Sequence, residues 1–354
     1  MRIVVVGAGY AGTTAANRLA RKLGSAEITV VNPRPQFVER VRLHQQLAGT
    51  GSADTPLTAM LREGITARVG TVDKIGDGTL ALDDGDRIDF DHAVLAVGST
   101  VQPLPGTVPV GTWEGAEQAR AAVAALPAGG TVTVVGTGAT GIETAAEVAG
   151  ARPDLRVRLA GPPPAATFTP GAQRRIRAGL ERLGVHLVEG LVTEVSGGDV
   201  RLRSGRAFAS DLTLWGIVSG VPDLAARSGL AVDATGRALV DRYLRSVSDD
   251  RILVAGDCAG VPGARPCCVN ALPQAAHAAG TLARLVTGRP PRPYSLLHLG
   301  ACVKLGRTDA VLQLTDRSGP ARRPYLAGPA AARIGEFGAR SAKLNARIGA
   351  IARG

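Results

Sequence analysis

The stretch MRIVVVGAGYAG, residues 1–12, joins an apolar run to a glycine-rich turn, and it decides the fold. The run at residues 2–6 predicts a strand that is buried on both faces. Gly7, Gly9 and Gly12 follow in the G-x-G-x-x-G spacing. In this motif the first glycine forms the tight turn, the second lets the backbone approach a pyrophosphate, and the third lets the helix pack on the strand. We therefore expect this turn to bind a dinucleotide.

The segment that follows predicts the rest of a nucleotide-binding unit. A helix begins near Tyr10 and Ala11, and its free N–H groups and dipole favour the phosphates. The next strand, at residues 27–31, ends beside Asn32. An Asp or Glu normally binds the ribose hydroxyls at this position. We expect Asn32 to take that role, because its amide forms hydrogen bonds although it lacks the charge.

The chain carries the same pattern a second time. The stretch TVTVVGTGATGIETAAEV, residues 131–148, has a strand-forming run, glycines at the same spacing and a helix-forming run. The predicted nucleotide contacts of this second turn are Gly136, Gly138, Thr140 and Gly141. Two such units in one chain predict two bound dinucleotides.

The second unit departs from an NADH site at the ribose position. Its second strand, at residues 155–160, is followed by Gly161 and Pro162 and by no carboxylate. An acid there accepts hydrogen bonds from the 2′-OH and repels a 2′-phosphate. Two alternatives stay open: a site that tolerates or prefers NADPH, and a weakened nicotinamide site. Arg174 and Arg175 lie downstream, where they either reach such a phosphate or form a solvated helix face.

Composition narrows the class of protein. A chain of 354 residues, 45% of them hydrophobic, is long enough for two or three packed domains. The net charge of +11 comes from arginines spread along the chain, without a compact basic run or a zinc-finger spacing. We therefore expect no nucleic-acid partner and no bound metal. Because the four cysteines do not suit a secreted disulfide framework, and the chain opens without a signal-peptide pattern, we expect a cytoplasmic protein.

Three later stretches extend the pattern. They are DHAVLAVGST at 91–100, SVSDDRILVAGDCAG at 246–260 and ALPQAAHAAG at 271–280. The first resembles the strand that closes the first half of a flavin domain. The second resembles a late flavin fingerprint whose Asp, here Asp257, holds the ribityl chain. The third resembles a helix whose N-terminus lies beside the flavin ring, where its dipole favours negative charge.

In this order the motifs resemble the two-dinucleotide-domain flavoproteins of the pyridine nucleotide–disulfide oxidoreductase fold. Within that family they are most similar to type II NADH:quinone oxidoreductases and their actinobacterial relatives. The resemblance implies an α/β fold with two Rossmann-like domains and a small C-terminal α+β segment. It also implies FAD at the first turn and NADH or NADPH at the second. The implied FAD contacts beyond the first turn and its helix start are Asn32, Arg42, Ala96, Val97, Gly98, Gly256, Asp257, Pro273 and Gln274.

The same resemblance implies a discontinuous flavin domain. We place this domain at residues 1–104 and 225–290, with the nicotinamide domain at 105–224 inserted where proline and glycine interrupt the pattern. Residues 291–354 form the C-terminal segment, within which LGRTDAV at 305–311 resembles the equivalent segment of the quinone-reducing branch.

The implied reaction takes hydride from NAD(P)H onto the flavin and passes electrons to a quinone or a similar small acceptor. Glu143 matches a glutamate that lies near the nicotinamide in this branch, and it is a catalytic candidate together with Gln274 and His277. His44 falls where relatives bring a segment close to the flavin. Arg42 and its neighbour Arg40 either bind a phosphate or lie on a solvated face of the protein.

Two departures keep other functions open. No cysteine precedes Cys258, so the redox-active pair of the disulfide reductases is missing. Quinone-reducing relatives typically carry A-Q-x-x-Q in the flavin-side helix, whereas this chain has Gln274 followed by His277. One alternative is a biosynthetic flavoenzyme that acts on a specialised metabolite and has a degenerate nicotinamide site. A non-enzyme alternative is a flavin-bearing redox sensor or binding protein.

Smaller signals surround the flavin-side helix. Cys267 and Cys268 precede it, and adjacent cysteines rarely bridge, so we expect small buried residues there rather than a redox site. Asn270 follows in the same segment and is a further candidate for the neighbourhood of the flavin ring.

The tail from about residue 329 predicts a basic amphipathic helix. Apolar residues recur at intervals of three and four among arginines and lysines. The stripe consists of Ile334, Phe337, Ser341, Leu344, Ile348 and Ile351. Such a helix either lies on an anionic membrane surface or packs on the body or on a second subunit. We expect a homodimer. The alternative for this helix is a peripheral contact with the inner face of the cell membrane.

Overall fold

The computed structural model describes residues 1–264, 268–295, 300–316 and 320–350, and the side chains of Cys268 and Val269 are not among the described ones. The first part of the chain builds one parallel sheet and two small antiparallel ones. Its elements are β1 (Arg2–Val6), α1 (Tyr10–Lys22), β2 (Glu27–Asn32), β3 (Gln36–Val38), a 3₁₀ turn (Arg40–Arg42), α2 (Leu43–Ala48), β4 (Asp54–Pro56), α3 (Leu57–Met60), β5 (Ile65–Val69), β6 (Val72–Ile75), β7 (Thr79–Leu82), β8 (Arg87–Asp89) and β9 (His92–Leu95).

The second part repeats that order of elements. They are β10 (Val108–Pro109), α4 (Trp113–Ala125), β11 (Thr131–Val135), α5 (Ala139–Ala151), β12 (Arg156–Gly161), α6 (Pro170–Arg182), β13 (His186–Glu189), β14 (Val192–Ser196), β15 (Asp199–Leu202), β16 (Ala207–Ala209) and β17 (Leu212–Trp215).

The third part returns to the first sheet and then adds a layer of its own. Its elements are α7 (Leu224–Arg227), β18 (Ala238–Leu239), β19 (Ile252–Val254), β20 (Ala259–Gly260), α8 (Cys268–Val286), β21 (Ala301–Lys304), β22 (Ala310–Thr315), β23 (Ala321–Ala327) and α9 (Pro329–Ile348).

Two five-stranded parallel sheets organise the molecule. The first has the strand order β19-β9-β1-β2-β5, and the second has β10-β17-β11-β12-β13. In each sheet a glycine turn follows the central strand. An antiparallel three-stranded sheet is inserted along the chain between β5 and β9 of the first sheet and between β13 and β17 of the second. The predicted α/β fold with two Rossmann-like units is therefore confirmed. The first sheet takes its strand β19 from the returning segment, beyond the whole second sheet.

Burial follows the apolar runs that predicted the strands. β1 and β11 are buried along almost their whole length, as central strands covered on both faces should be. The first core joins the first sheet to α1 and α8, and the second joins the second sheet to α5 and α6. Val303, Leu305 and Val311 from β21 and β22 belong to the second core, so the C-terminal sheet packs on the second unit.

Helix α9 is fixed to the body by charges rather than by large apolar side chains. Glu336 accepts hydrogen bonds from Arg42 at 2.7 Å, from Lys304 at 2.8 Å and from Arg340 at 2.9 Å. Three cations hold the pKa of the Glu336 carboxyl well below its usual range, with the Arg42 hydrogen bond the largest favourable cause. Lys343 reaches back to the buried Glu39 at 2.8 Å.

The apolar stripe of α9 points away from the body. Ile334, Phe337, Leu344 and Ile348 are 47%, 72%, 55% and 41% exposed. The side of the helix that is buried carries only small residues, Ala331, Ala332 and Ala346. Of the two packings open to this helix, docking of the stripe on the body is therefore wrong. Ile351, the last member of the predicted stripe, lies outside the described residues.

Replacing Glu336 with Gln should loosen α9. The variant leaves Arg42 and Lys304 without their shared carboxylate, and we expect the free energy of unfolding to fall by about 1–3 kcal/mol, the range for lost hydrogen bonds to charged groups. Because the pKa of the folded Glu336 is depressed, this stabilisation is present above the unfolded carboxyl pKa and is lost as pH falls through and below it. Urea unfolding at pH 7 and pH 4 measures both effects.

The matched control is Glu63→Gln, which removes an exposed carboxylate in the loop before β5. It should change stability by no more than about 0.5 kcal/mol, as exposed positions do. Equal stability of the Glu336 and Glu63 variants at pH 7 would contradict a stabilising role for the Glu336 cluster.

Candidate functional site

The first glycine turn has room for a ligand at one position only. A Cβ on Gly7 would lie 2.5 Å from the carbonyl oxygen of Ala96, and Gly7 also has a positive φ of 95°. A Cβ on Gly12 would lie 1.8 Å from the carbonyl oxygen of Gly7. A Cβ on Gly9 would meet no atom within 4 Å, and Gly9 is exposed at the N-cap of α1. The backbone N–H groups at the start of α1 therefore face open space, as an anion site requires.

The second turn repeats this geometry. A Cβ on Gly136 would lie 2.7 Å from the side chain of Ile217, and one on Gly141 would lie 1.7 Å from the carbonyl oxygen of Gly136. Gly138 is the exposed member with nothing within 4 Å, and Thr140 follows it in the first turn of α5. Both turns thus suit the close approach of a pyrophosphate at the second glycine.

Two later segments close around the first turn. The loop after β9, with Ala96, Val97 and Gly98, touches it through the carbonyl of Ala96, and the Ala96 N–H donates to Val6 at 2.9 Å. The segment after β19 meets the start of α1, where a Cβ on Gly256 would lie 3.2 Å from the Cβ of Ala11.

Hydrogen bonds connect these segments to each other. Ser99 Oγ donates to Asp257 at 2.8 Å, and the side-chain oxygen of the buried Gln274 accepts from the Gly256 N–H at 2.8 Å. Arg40 donates to the carbonyl and the hydroxyl oxygens of Ser99 at 2.9 and 3.1 Å. The structure therefore brings Gly9, Gly98, Asp257 and Gln274 to one edge of the first sheet, with Pro273 partly buried in α8 beside Gln274.

Asn32 supports the first glycine turn through hydrogen bonds of its side chain. Its side-chain oxygen accepts from the Ala8 N–H at 3.0 Å, while its amide nitrogen donates to the carbonyl of Arg34 at 2.7 Å. Asn32 is 8% exposed. The amide thus holds the glycine turn in shape, and its predicted contact with a ribose stays a prediction.

Tyr10 and Arg42 point into an internal charge cluster. Arg42 donates to both oxygens of Glu336 and to Glu39, and Tyr10 donates to the same Glu39 at 3.3 Å. Because two carboxylates already bind the Arg42 guanidinium, this arrangement does not support the prediction that Arg42 contacts the cofactor. Arg40, which the sequence left open between a phosphate ligand and a solvated face, instead lies against the loop after β9.

His277 is held by the segment that follows α8. Its ring nitrogen Nε2 lies 2.9 Å from the carbonyl oxygen of Arg292, and its ring packs edge-on against Tyr294 at 5.2 Å between centroids. Burial lowers the pKa of His277. These contacts are those of a packing histidine, and they do not favour the catalytic role predicted for His277 beside the flavin.

Glu143 occupies a very different environment. Its carboxylate accepts from the Lys304 N–H at 3.0 Å and lies 3.8 Å from His44 Nδ1. Burial raises the pKa of Glu143 to about 7, against the opposing effect of Lys304. A carboxyl group with this pKa both donates and accepts a proton near neutrality, which suits general acid–base chemistry. The residue lies in α5, the helix that begins at the second turn.

A cavity of about 280 Å³ opens beside the second turn. Its walls are the turn itself, the loop after β12 and strand β21, and they comprise residues 137–139, 165–168 and 301–303. The loop folds back onto the turn, where the Ala165 N–H donates to Thr137 at 2.9 Å. None of these lining residues carries a charge, so the structure offers no carboxylate to a ribose in this cavity.

Arg175 forms an ion pair within the protein. It donates to both oxygens of Asp309 at 2.7 and 2.8 Å, and Arg182 donates to the same carboxylate at 2.8 Å. Arg175 therefore joins α6 to the loop before β22, and this ion pair does not support the suggestion that Arg175 reaches a 2′-phosphate. Arg174 is exposed on the same helix.

The described cysteines do not form a redox pair. Cys258 is buried, and burial raises its pKa to about 11. Cys302 lines the cavity at the second turn, and burial likewise raises its pKa to about 11. Both thiols are protonated at neutral pH, which makes them weak nucleophiles. Cys267 and the side chain of Cys268, which we expect to be small buried groups, lie outside the described part of the structure. Asn270 is buried in the first turn of α8.

Comparison with known proteins identifies the architecture. The family model for pyridine nucleotide-disulphide oxidoreductases matches residues 1–281. The chain is 32% identical over 293 residues to an NADH dehydrogenase-like protein of Mycobacterium tuberculosis, covering 73% of this chain and 72% of that protein. It is 28% identical over 342 residues to ferroptosis suppressor protein 1 of Taeniopygia guttata, covering 89% and 88%.

Solved structures share the fold. The sulfide:quinone oxidoreductase of Aquifex aeolicus superposes with a TM-score of 0.80 at 17% identity, covering 99% of this chain and 92% of that one. Putidaredoxin reductase, in its covalent complex with putidaredoxin, superposes with a TM-score of 0.72 at 23% identity, covering 89% and 82%. The flavoprotein family expected from the motifs is therefore confirmed.

Valine at the second glycine of each turn should separate the two sites. Gly9 and Gly138 have extended backbones and open surroundings, so the fold should survive either change. Gly9→Val should lower FAD retention, and Gly138→Val should weaken binding of the nicotinamide nucleotide. Each should lose at least about tenfold in affinity, or about 1.4 kcal/mol. Bound-flavin absorbance and nucleotide titration measure the two effects, and each variant is the control for the other.

Proposed function

The chain belongs to the pyridine nucleotide-disulphide oxidoreductase family and is an oxidoreductase that uses FAD and NAD(P)H, and on this premise we propose that it passes electrons to a quinone or a similar small acceptor. The observation that carries the proposal is the pair of matching glycine turns, each open only at its second glycine. In this proposal the first turn holds FAD permanently, and the second binds a nicotinamide nucleotide transiently.

The first turn and its neighbours fit FAD. Bound FAD would supply the two-electron chemistry that no side chain provides. The open Gly9 and the start of α1 would hold the pyrophosphate, and Asp257 would accept hydrogen bonds from the ribityl chain. Gln274 fixes the Gly256 N–H from within α8 and thereby orders the segment that carries Asp257.

The second turn and α5 would hold NAD(P)H. Gly138 and Thr140 would contact the pyrophosphate, and Glu143, one turn further along α5, would lie near the nicotinamide. Because the described surroundings of the turn contain neither a ribose carboxylate nor a free Arg175, we propose that the site accepts both NADH and NADPH with modest discrimination. Alignment of the two nucleotides then supplies much of the rate acceleration.

Two observations support a quinone-like acceptor. They are the state of the described cysteines and the names of similar proteins. Cys258 is buried and Cys302 is partly buried, and burial raises both pKa values to about 11, so neither thiol suits disulfide chemistry at neutral pH. A relative is named NADH dehydrogenase-like, and a solved structure of the same fold is a sulfide:quinone oxidoreductase.

We further propose that the outward stripe of α9 rests on an anionic lipid surface. Phe337 and Leu344 are exposed between Arg333, Arg340 and Arg347 on the same side of the helix. A second copy on this stripe would bring like charges together, whereas anionic headgroups complement them. No described helix is long and apolar enough to cross a membrane. Contact through α9 would bring the protein to where lipid-soluble quinones are found.

Anaerobic addition of nucleotide tests the proposed reaction. The purified yellow protein should lose its flavin absorbance with NADH and with NADPH, at rates within about tenfold of each other, a difference of no more than about 1.4 kcal/mol. A soluble quinone should then restore the absorbance. Bleaching without reoxidation by any quinone would favour the biosynthetic alternative, and a protein that neither nucleotide bleaches would refute the proposed function.

Flotation with vesicles tests the lipid surface. The double variant Phe337→Glu and Leu344→Glu should bind phosphatidylglycerol vesicles at least about tenfold more weakly, because it removes apolar contact and adds repulsion. The control Val247→Glu changes an exposed valine before β19 and should bind normally. Equal binding of all proteins would refute the lipid contact. If light scattering finds a dimer that only the double variant dissociates, the stripe is instead a subunit interface.

A further inference from the structure

A buried histidine faces Glu143 across the junction of the two nucleotide-binding units. His44 lies on α2 of the first unit and is 5% exposed, and Glu143 lies on α5 of the second. Their closest atoms, His44 Nδ1 and Glu143 Oε2, are 3.8 Å apart. The other carboxylate oxygen of Glu143 accepts from the Lys304 N–H at 3.0 Å, which orients the carboxylate so that Oε2 faces the imidazole.

The imidazole of His44 is neutral. Burial, together with the charges of Lys304 and Arg42, lowers the pKa of His44 to about 3 against the weaker opposing effect of Glu336. A neutral imidazole has one N–H donor and one acceptor nitrogen, and the hydrogen bond at one nitrogen determines the state of the other.

The second ring nitrogen of His44 needs a hydrogen bond that the described residues do not provide. His44 Nε2 is buried and has no hydrogen-bond partner among the described residues. A buried polar atom left without a partner costs about 1–3 kcal/mol, which a bound molecule at that atom would recover. The 3.8 Å between Nδ1 and the Glu143 carboxylate is longer than a hydrogen bond, and contacts between catalytic groups often shorten only when the ligand binds.

With Nδ1 and Oε2 at hydrogen-bond distance, the protonation of Glu143 would determine whether Nε2 is a donor or an acceptor. When Glu143 is ionised, Nδ1–H points at the carboxylate, and Nε2 is an acceptor. When Glu143 is protonated, its O–H points at Nδ1, and Nε2 carries the hydrogen and becomes a donor. A proton on Glu143 thereby makes a hydrogen available at His44 Nε2, on the far side of the imidazole ring.

We propose that Glu143 and His44 form a proton relay, in which Glu143 gives a proton to Nδ1 while Nε2 releases one to the oxygen of a quinone-like acceptor. Reduction of a quinone to a hydroquinone needs two electrons and two protons. The hydride of NAD(P)H accounts for both electrons and one proton, and the relay supplies the second proton. After the hydroquinone leaves, the pair resets when one solvent proton enters at Nε2 and Nδ1 returns its hydrogen to Glu143. The acceptor class rests on the proposed function, whereas the linked pair itself does not.

The charges around the pair suit this role. Arg42 before α2, Lys304 of β21 and Glu336 of α9 act on His44, and Lys304 and Glu147 act on Glu143 with opposite signs. The pKa of Glu143, raised to about 7 by burial, means that the proton is present below pH 7 and is lost above it. The acceptor step should accordingly slow as pH rises through about 7.

Nitrogen NMR tests the relay without turnover. The protein contains five histidines, and ¹⁵N-histidine labelling with the spectrum of a His44→Asn variant assigns the His44 signals. In the FAD-bound protein without nucleotide or quinone, the hydrogen should lie on Nε2 at pH 5 and on Nδ1 at pH 9. Glu143→Gln should abolish that exchange. A single tautomer of His44 from pH 5 to pH 9, or a doubly protonated ring, would overturn the proposal.

Stopped-flow kinetics then locates the step. His44→Asn should slow quinone-dependent reoxidation by about 10²-fold, a typical contribution of general acid catalysis, and should slow bleaching by NADH far less. Its solvent isotope effect on reoxidation should differ from that of the unchanged protein. The control His186→Asn alters an exposed histidine on β13 and should match the unchanged protein in both steps.

The outcomes separate the two hypotheses. If the unchanged protein is not bleached by NAD(P)H or does not reduce quinones, the proposed function fails, while the NMR result still decides the linkage between His44 and Glu143. If it does both and His44→Asn reoxidises at the normal rate, the relay fails and the proposed function stands.

Discussion

The absence of a side chain at Gly12 and Gly141 is the constraint on which both halves of the molecule depend. Each helix crosses its strand so closely that a methyl group would meet the carbonyl oxygen of the first glycine at under 2 Å. That close crossing directs the helix N-terminus at the second glycine, the one member of each turn that faces open space. A packing requirement within the fold thereby creates an anion site at its surface, once in each sheet.

The parts of the structure that local sequence determines were predictable. Apolar runs gave the central strands, and glycine spacing gave the turns, because both depend on neighbouring residues. The partners of charged side chains were not predictable in this way. Arg42 binds Glu336, 294 residues away, and Arg175 binds Asp309, 134 residues away, so neither pairing leaves a local signal. Both arginines looked available for phosphate because their carboxylates lie in the C-terminal segment.

Local sequence also did not predict which face of a helix is buried. Periodicity predicted the apolar stripe of α9 but not that Ala331 and Ala346 would form its buried side. The motif placed His277 in the flavin-side helix, but it did not predict that the carbonyl of Arg292 holds the ring. For His44, the resemblance indicated a segment close to the flavin but not the packing of its ring opposite Glu143. Each of these outcomes depends on which element lies opposite, and that is a property of the assembled fold.

Lys304 shows how the C-terminal segment completes the site between the two units. Its backbone N–H binds Glu143, and its ammonium group binds Glu336 of α9. The same ammonium charge helps keep His44 neutral, and it opposes the rise in the Glu143 pKa that burial causes. Docking of α9 and the proton affinity of Glu143 therefore share one residue. A displacement of α9 that separates Glu336 from Lys304 would therefore change the charges around the carboxyl group that we propose to donate the proton.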